Sequence, residues 1–279
     1  MKMKDRFKKY TLWMLCMAIS LLICNTAVIQ AASDQTTASE ETLTDDEQED
    51  TIPEEQPEPE TKKTTYNAVM RAGKEGTFHM NNPSGKVTWS VGNKKLLQVI
   101  KKSNKECKVK ALKDGNTYIK ASDKNNTYTY KVTIRTGDAY VKAWCKQWVK
   151  DYIPDDLNDK QKLIAASSYI TIYGPFAYGS SSSTADVLTE GLGTCVSGGN
   201  LLVAMCEAMG FEARLRFAAN DNMKRYPSGV ILASQHYNVE VKINNKKYYI
   251  DGTPGVGFVY LSTAKKPIYY QIFDMVVPL

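Results

Sequence analysis

A change of hydrophobic period near residue 136 divides this chain into two folding problems. Between Tyr66 and Arg135 apolar and polar residues alternate in short runs: Val87 to Val91, Lys108 to Leu112, Thr117 to Ala121 and Tyr128 to Ile134. Turn-forming stretches separate them, at Asn81-Asn82-Pro83, Asp114-Gly115-Asn116 and Asp123 to Asn126. Period-2 runs at this spacing predict a small antiparallel sandwich. From Asp138 the apolar residues recur at helical spacing. Tyr140, Val141, Trp144, Trp148 and Val149 predict a helix over 138–151 that ends before Pro154. A second helix is expected over 158–173, capped by Asn158 or Asp159. A third follows Cys195 and stops at Gly210. Strands then read at 211–218, 237–243 and 246–250, with Asn244-Asn245 as the hairpin turn between the last two. The expected architecture is an all-β module followed by an α+β domain, helices first and sheet after.

Two further stretches precede these modules. Lys2, Lys4, Arg6, Lys8 and Lys9 form a positive end, Leu12 to Ile23 an apolar run, and Ala31-Ala32 a small-residue site. This order reads as a secretory signal peptide over 1–32. The alternative is an uncleaved anchor over Tyr10 to Ile29, though Ser20, Asn25 and Thr26 interrupt that stretch. A lipid attached at Cys24 is disfavoured by bulky Ile23 before it. Residues 33–60 carry twelve Asp/Glu and no Lys or Arg, with prolines at 53, 57 and 59. Such a segment buries too little apolar surface to offset its ordering entropy, so 33–63 reads as a disordered acidic linker. The expected location is secreted, extracellular or cell-wall associated.

Charge is segregated as well. Residues 61–135 hold 17 Lys/Arg against four Asp/Glu, whereas 136–279 hold 14 against 13. On alternating strands the lysines face outward and make a surface that attracts polyanions in a salt-dependent way. An anionic cell-wall polymer is the expected partner class; a lysine coat that only solubilises is the alternative. No basic groove interleaved with aromatics and no recognition helix is visible, so nucleic acid is not expected. No phosphate-cradling Gly-x-x-x-x-Gly-Lys-Ser/Thr or Gly-x-Gly-x-x-Gly motif is present, which argues against nucleotide chemistry. With two histidines and no calcium-loop pattern, no metal and no cofactor are expected.

One cysteine differs from the others. Gly191-Leu192-Gly193-Thr194 precedes Cys195, so the chain turns tightly into a helix whose positive N-terminal end favours a thiolate. Cys206 lies amid Leu, Met and Ala, and Cys107 and Cys145 look equally structural. A nucleophilic thiol needs a base, and His236 is the only histidine in 136–279. Asp251 ends the next strand. A hairpin turning at Asn244-Asn245 brings His236 and Asp251 together by register, and the carboxylate would orient the ring. A disulfide between Cys195 and Cys206 is the structural alternative. Eleven residues along one helix separate them by about 16 Å, beyond bridging reach.

Two family resemblances rest on these residues. Val87-Thr88-Trp89-Ser90, the aliphatic run Leu97 to Ile100, Gly115 to Ile119 and the closing Val132-Thr133-Ile134 resemble bacterial immunoglobulin-like domains of the group 2 type. Gly191 to Cys195, Gly210 to Arg214, His236 to Val241 and Tyr248 to Pro254 resemble the transglutaminase-like superfamily, from about Lys160 to Gly255. Tyr237 stands where that family usually has Trp, Phe211-Glu212 replaces Ile-Pro, and Gly252 replaces Pro.

The expected organisation is therefore a signal peptide (1–32), an acidic linker (33–63), an immunoglobulin-like sandwich (64–136) and an α+β transglutaminase-like domain with a papain-like cysteine proteinase core (137–279). The second resemblance implies a triad of Cys195 as nucleophile, His236 as base and Asp251 as orienter, acting on amides of proteins or wall peptides through a thioester. Transfer and hydrolysis both follow from such a site. A noncatalytic surface or adhesion protein that uses the fold as a scaffold is the alternative.

Overall fold

The computed structural model describes residues 61–181, 183–219, 235–257, 259 and 261–263. The signal-peptide and acidic-linker assignments over 1–60 lie outside the described residues. Among the described residues no helix is long and apolar enough to cross a membrane.

Seven strands come first: β1 (Lys62–Arg71), β2 (Glu75–His79), β3 (Thr88–Val91), β4 (Leu97–Lys102), β5 (Glu106–Ala111), β6 (Gly115–Ser122) and β7 (Asn126–Arg135). They form a four-stranded sheet in the order β1-β7-β6-β3 and a three-stranded sheet in the order β2-β5-β4. One core lies between them. It draws Met70, Trp89, Ile119, Val132 and Ile134 from the first sheet and Phe78, Leu97, Cys107, Val109 and Ala111 from the second. Along β5 the alternation is plain: Cys107, Val109 and Ala111 are buried while Lys110 is exposed. Every lysine of 61–135 except the half-buried Lys108 is exposed.

Two expectations are corrected here. The sheets are not wholly antiparallel, because β1 runs parallel to β7 over its whole length, Lys62 opposite Asn126 through Arg71 opposite Arg135. And β1 begins at Lys62, inside the stretch assigned to the linker up to residue 63. Its polar start, Lys-Lys-Thr-Thr, is held by a backbone ladder rather than by burial. Nothing in its own composition marks it.

The remainder opens with α1 (Gly137–Tyr152), which buries Tyr140, Val141, Cys145 and Trp148 along one stripe. The Asn158 side chain and Gln161 form a capping box that starts α2 (Asp159–Ser168). The helix expected to run unbroken to Tyr173 changes pitch at Tyr169–Tyr173, a π-helical turn. Then come β8 (Ala177–Tyr178), α3 (Thr184–Glu190), β9 (Leu192–Gly193) and α4 (Cys195–Ala208). β8 and β9 pair in parallel, a two-residue contact that the sequence did not signal. The chain continues with β10 (Glu212–Ala219), β11 (Gln235–Ile243), β12 (Lys246–Ile250) and β13 (Leu261–Ser262), an antiparallel sheet in that order. Asn244 and Asn245 have φ values of 49° and 62°, as a type I′ hairpin turn requires. Helix α4 packs on β10 and β11 and also against α1. Leu201, Leu202, Met205 and Cys206 of α4 are buried, as are Val239 and Val241 of β11.

The two modules touch through a polar clasp. Arg71 Nη1, at the end of β1, donates to Asp186 Oδ1 at 2.5 Å and to Thr189 Oγ1 at 3.2 Å. Lys74 Nζ reaches Glu190 Oε1 at 3.5 Å. All three acceptors stand on α3, the helix that leads through Gly191 and β9 to Cys195.

Candidate active site

Cys195 is the first residue of α4. Thr194, its N-cap, accepts the Val196 and Ser197 N–H groups on Oγ1 at 3.2 and 3.3 Å. Ser197 Oγ returns a bond by accepting the Thr194 N–H at 2.9 Å. This box fixes the helix start and uses two of its free N–H groups. The N–H of Cys195 itself has no carbonyl one turn back within the helix. Its side chain is half-buried, whereas Cys107, Cys145 and Cys206 are buried. None of the four is bridged, so the Cys195–Cys206 disulfide does not form.

His236 stands on β11 and is 5% exposed; Asp251 directly follows β12 and is fully buried. His236 Nε2 and Asp251 Oδ2 are 2.5 Å apart. The β11–β12 ladder pairs Val239 with Ile250 and Val241 with Tyr248. Continued one residue beyond Val239 and Ile250, that register sets Asn238 opposite Asp251, and three residues beyond, His236 opposite Thr253. His236 therefore meets Asp251 on the diagonal and not as its direct partner across the ladder. Diagonal neighbours on one face lie about 7–8 Å apart at the backbone, within reach of two side chains this long.

With Nε2 engaged by Asp251, Nδ1 is the ring nitrogen left for the sulfur of Cys195. The thiol and the ring are hydrogen-bonded, and this bond is the largest influence on the thiol, holding it below its ordinary pKa. Burial opposes that shift, and the Tyr237 backbone N–H on the sulfur supports it. His236 moves the other way. Burial works against its positive form, but hydrogen bonds to Asp251 and Cys195 outweigh burial and raise its pKa. Both directions favour a thiolate beside an imidazolium. The remaining described thiols shift upward through burial, Cys145 to about 12 and Cys206 further.

Three residues that the sequence reading did not single out support this arrangement. The Thr253 N–H donates to Asp251 Oδ1 at 2.6 Å, so both carboxylate oxygens are engaged. Ser167 Oγ, buried on α2, donates to the Asp251 carbonyl at 2.6 Å. Gly198, in the first turns of α4, lets the loop after Asp251 come close: a Cβ there would lie 2.2 Å from the Gly252 carbonyl and 2.5 Å from Pro254 Cδ. That contact also accounts for glycine at 252, where a Cβ would meet the Gly198 carbonyl at 2.8 Å. The π-helical turn adds two acceptors, taking Gly255 N–H on the Ile170 carbonyl at 3.4 Å and Gly257 N–H on the Thr171 carbonyl at 2.9 Å. Such turns recur at functional sites because they free carbonyls from the helical ladder. No sequence pattern marks the roles of Ser167 and Gly198, since each depends on the loop after β12, which lies 84 and 54 residues further along the chain.

Among the described residues no group of three or more His, Cys, Asp or Glu is arranged to hold a metal ion. The set of thiol, imidazole and carboxylate suits proton transfer and nucleophilic attack by sulfur.

Comparison with known proteins places residues 146–251 in the transglutaminase-like superfamily, a match that spans less than half of the chain. It starts earlier than the resemblance read from sequence and ends at Asp251. No curated protein matches the chain. Among solved structures, a suspected protease from Parabacteroides distasonis is 13% identical over 71% of this chain and 44% of its own, with a TM-score of 0.29. This chain thus spans less than half the length of that protein. A cysteine protease inhibitor from Entamoeba histolytica is 18% identical over 28% of this chain and 99% of its own, with a TM-score of 0.19. The M1 domain from titin is 11% identical over 26% of this chain and 91% of its own, with a TM-score of 0.18. At these scores the three likenesses carry no argument about fold or activity.

Proposed function

We propose that this protein is a cysteine-nucleophile enzyme acting on amide bonds, with Cys195 as nucleophile, His236 as general acid and base, and Asp251 as the group that orients the ring. The observation that carries the reading is the linked chain of Cys195 sulfur, His236 ring and Asp251 carboxylate, with the thiol lowered and the ring raised. The Cys195 thiolate attacks the amide carbon and its carbon–sulfur bond forms. The developing oxyanion turns to the Cys195 N–H, which has no partner within the helix, and to the positive end of α4. His236, as imidazolium, delivers its proton to the leaving nitrogen; the carbon–nitrogen bond breaks and a thioester remains. His236 then takes a proton from water, giving hydrolysis, or from an amine, giving a new amide. Either acceptor regenerates the thiolate and imidazolium.

Around this site the proposal sets an exported, wall-associated protein. The sandwich is proposed to be immunoglobulin-like, and its exposed lysines to hold the enzyme on an anionic wall polymer. Binding to purified walls should weaken steeply with salt. Salt-insensitive binding of the full chain would remove the electrostatic tether.

The catalytic reading is tested by trapping the acyl-enzyme. The protein is mixed with a library of peptides containing Gln, Asn and backbone amides, quenched in acid and analysed by mass. An acyl adduct on Cys195, absent in Cys195→Ala, supports the reading. Absence of any adduct or product across the library favours the noncatalytic scaffold.

A further inference from the structure

Among the described residues of 136–279, the large exposed hydrophobic side chains gather about one sulfur. They are Tyr178 (66%), Leu192 (42%), Val196 (39%) and Phe217 (48%). Each is one or two steps from Cys195. Val196 follows it in α4. Leu192 stands on β9, three residues before it. Tyr178 lies opposite Gly193 in the β8–β9 pair. The end of β8 runs beneath Leu192, since a Cβ at Gly179 would be 3.3 Å from the Leu192 side chain. Phe217 lies opposite Tyr237, the two rings 5.3 Å apart edge to face, and the Tyr237 N–H is the backbone group bonded to the Cys195 sulfur.

Among the described residues, charge is drawn away from the same surroundings. Between Gly174 and Asn200 the charged residues are Asp186 and Glu190, and both turn to the sandwich, onto Arg71 and Lys74. Arg216, next to Phe217, lies over the Tyr249 ring at 4.7 Å. His236 and Asp251 are buried and bonded to each other. Isolated exposed apolar residues are ordinary; four gathered about a reactive group, with fixed charge drawn away, mark a binding surface.

We propose that Tyr178, Leu192, Val196 and Phe217 form the seat for the acyl donor, and that the donor is a polypeptide segment with bulky apolar side chains flanking the reacting amide, not a carboxylate-bearing short peptide of the cell wall. This rests on the amide-acyl reading above. Tyr178 and Leu192 bind one flank of the donor, and Phe217 with Tyr237 binds the other, so the carbonyl is carried to the thiolate between them. A carboxylate in either flank would lose its water against these side chains and find no cation among the described residues around them.

The test uses the full chain and three chloroacetyl peptides that differ only in flanking residues: Leu and Phe, Glu, or Lys. The Cys195 thiolate displaces chloride; a carbon–sulfur bond forms, a carbon–chlorine bond breaks and chloride leaves. The readout is the alkylation rate at Cys195, mapped by mass, each divided by the rate with iodoacetamide. The apolar probe should exceed the acidic and basic probes by about tenfold or more, the discrimination an apolar pocket provides. Tyr178→Ser and Phe217→Ser should each cut that ratio by about threefold or more, with folding checked by circular dichroism. Tyr118→Ser, an exposed aromatic of the sandwich, should leave the ratio in place. Equal or faster reaction of the charged probes, or an undiminished ratio in both site variants, overturns the seat. Slow labelling by iodoacetamide at Cys195 instead strikes the enzymatic reading, which the normalised ratio keeps separate.

Discussion

Replacing Asp251 with Asn should shift the ionisation of a residue that Asp251 does not touch. Both carboxylate oxygens are engaged, Oδ2 by His236 Nε2 at 2.5 Å and Oδ1 by the Thr253 N–H at 2.6 Å. An asparagine has one oxygen. It stays on the Thr253 N–H, which offers only a donor, and the amide nitrogen then faces Nε2. Nε2 must become the acceptor, and the ring proton moves to Nδ1, facing the sulfur. A ring in that tautomer has no lone pair for the thiol proton. The loss is that of a charge-assisted hydrogen bond, about 1.5–3 kcal/mol. At 1.36 kcal/mol per pH unit, the Cys195 titration midpoint should rise by about one to two pH units. The assay is the ultraviolet absorbance of the thiolate across pH, with Cys195→Ala as the blank. An unchanged midpoint in a folded Asp251→Asn protein would refute the argument, because the carboxylate would then have no part in the charge state of the thiol.

Other consequences follow from particular contacts. Gly198→Ala forces a methyl into the Gly252 carbonyl and Pro254, so it should cost about 1–3 kcal/mol in thermal unfolding and slow Cys195 alkylation as well; wild-type values of both would show that the loop yields freely. Arg71→Ala removes the half-buried clasp to Asp186 and Thr189 and should cost about 1–2 kcal/mol, read as a melting temperature lower by about 2–8 °C. An unchanged melting point would mean that the two modules do not lean on this contact. Under native conditions Cys107, Cys145 and Cys206 should resist alkylation, since burial raises all three thiols; fast labelling of any of them before unfolding would contradict the packing described.

How much was legible in sequence depended on whether the determinant was local. The start of α4 was legible because a glycine-rich turn, a threonine cap and an apolar run stand together around Cys195. The meeting of His236 and Asp251 was legible because the Asn244-Asn245 turn fixes a short hairpin. Direct pairing was not what the register gave, since a turn centred between Asn244 and Asn245 sets Asn238 opposite Asp251 and the carboxylate reaches His236 diagonally. Strand β1 was not read at all because its partner β7 is some sixty residues away and parallel, so no turn announces it. Ser167 sits in Ala-Ala-Ser-Ser, which reads as indifferent helix; its hydroxyl gains a role only when the Asp251 carbonyl arrives beside it. The π-helical turn and the β8–β9 pair have no compositional mark. The exposure of Tyr178, Leu192, Val196 and Phe217 had no sequence mark either, because an apolar side chain in the sequence does not show whether the fold will cover it.

The central claim is that Cys195 rests as a thiolate held by His236, and labelling with iodoacetamide between pH 4 and 9 tests it most directly. In the wild-type protein Cys195 should label fast below pH 8, where an ordinary thiol with a pKa of about 8.5 is mostly protonated. The lowered thiol keeps its reactivity as the pH falls, until the pH passes its own depressed value. In His236→Ala the ring bond is gone, and the labelling curve should move toward that of an ordinary or buried thiol. If Cys195 labels no faster than an unfolded cysteine, and the histidine replacement leaves the curve where it was, the thiolate–imidazolium pair does not exist in this protein and the enzymatic reading falls with it.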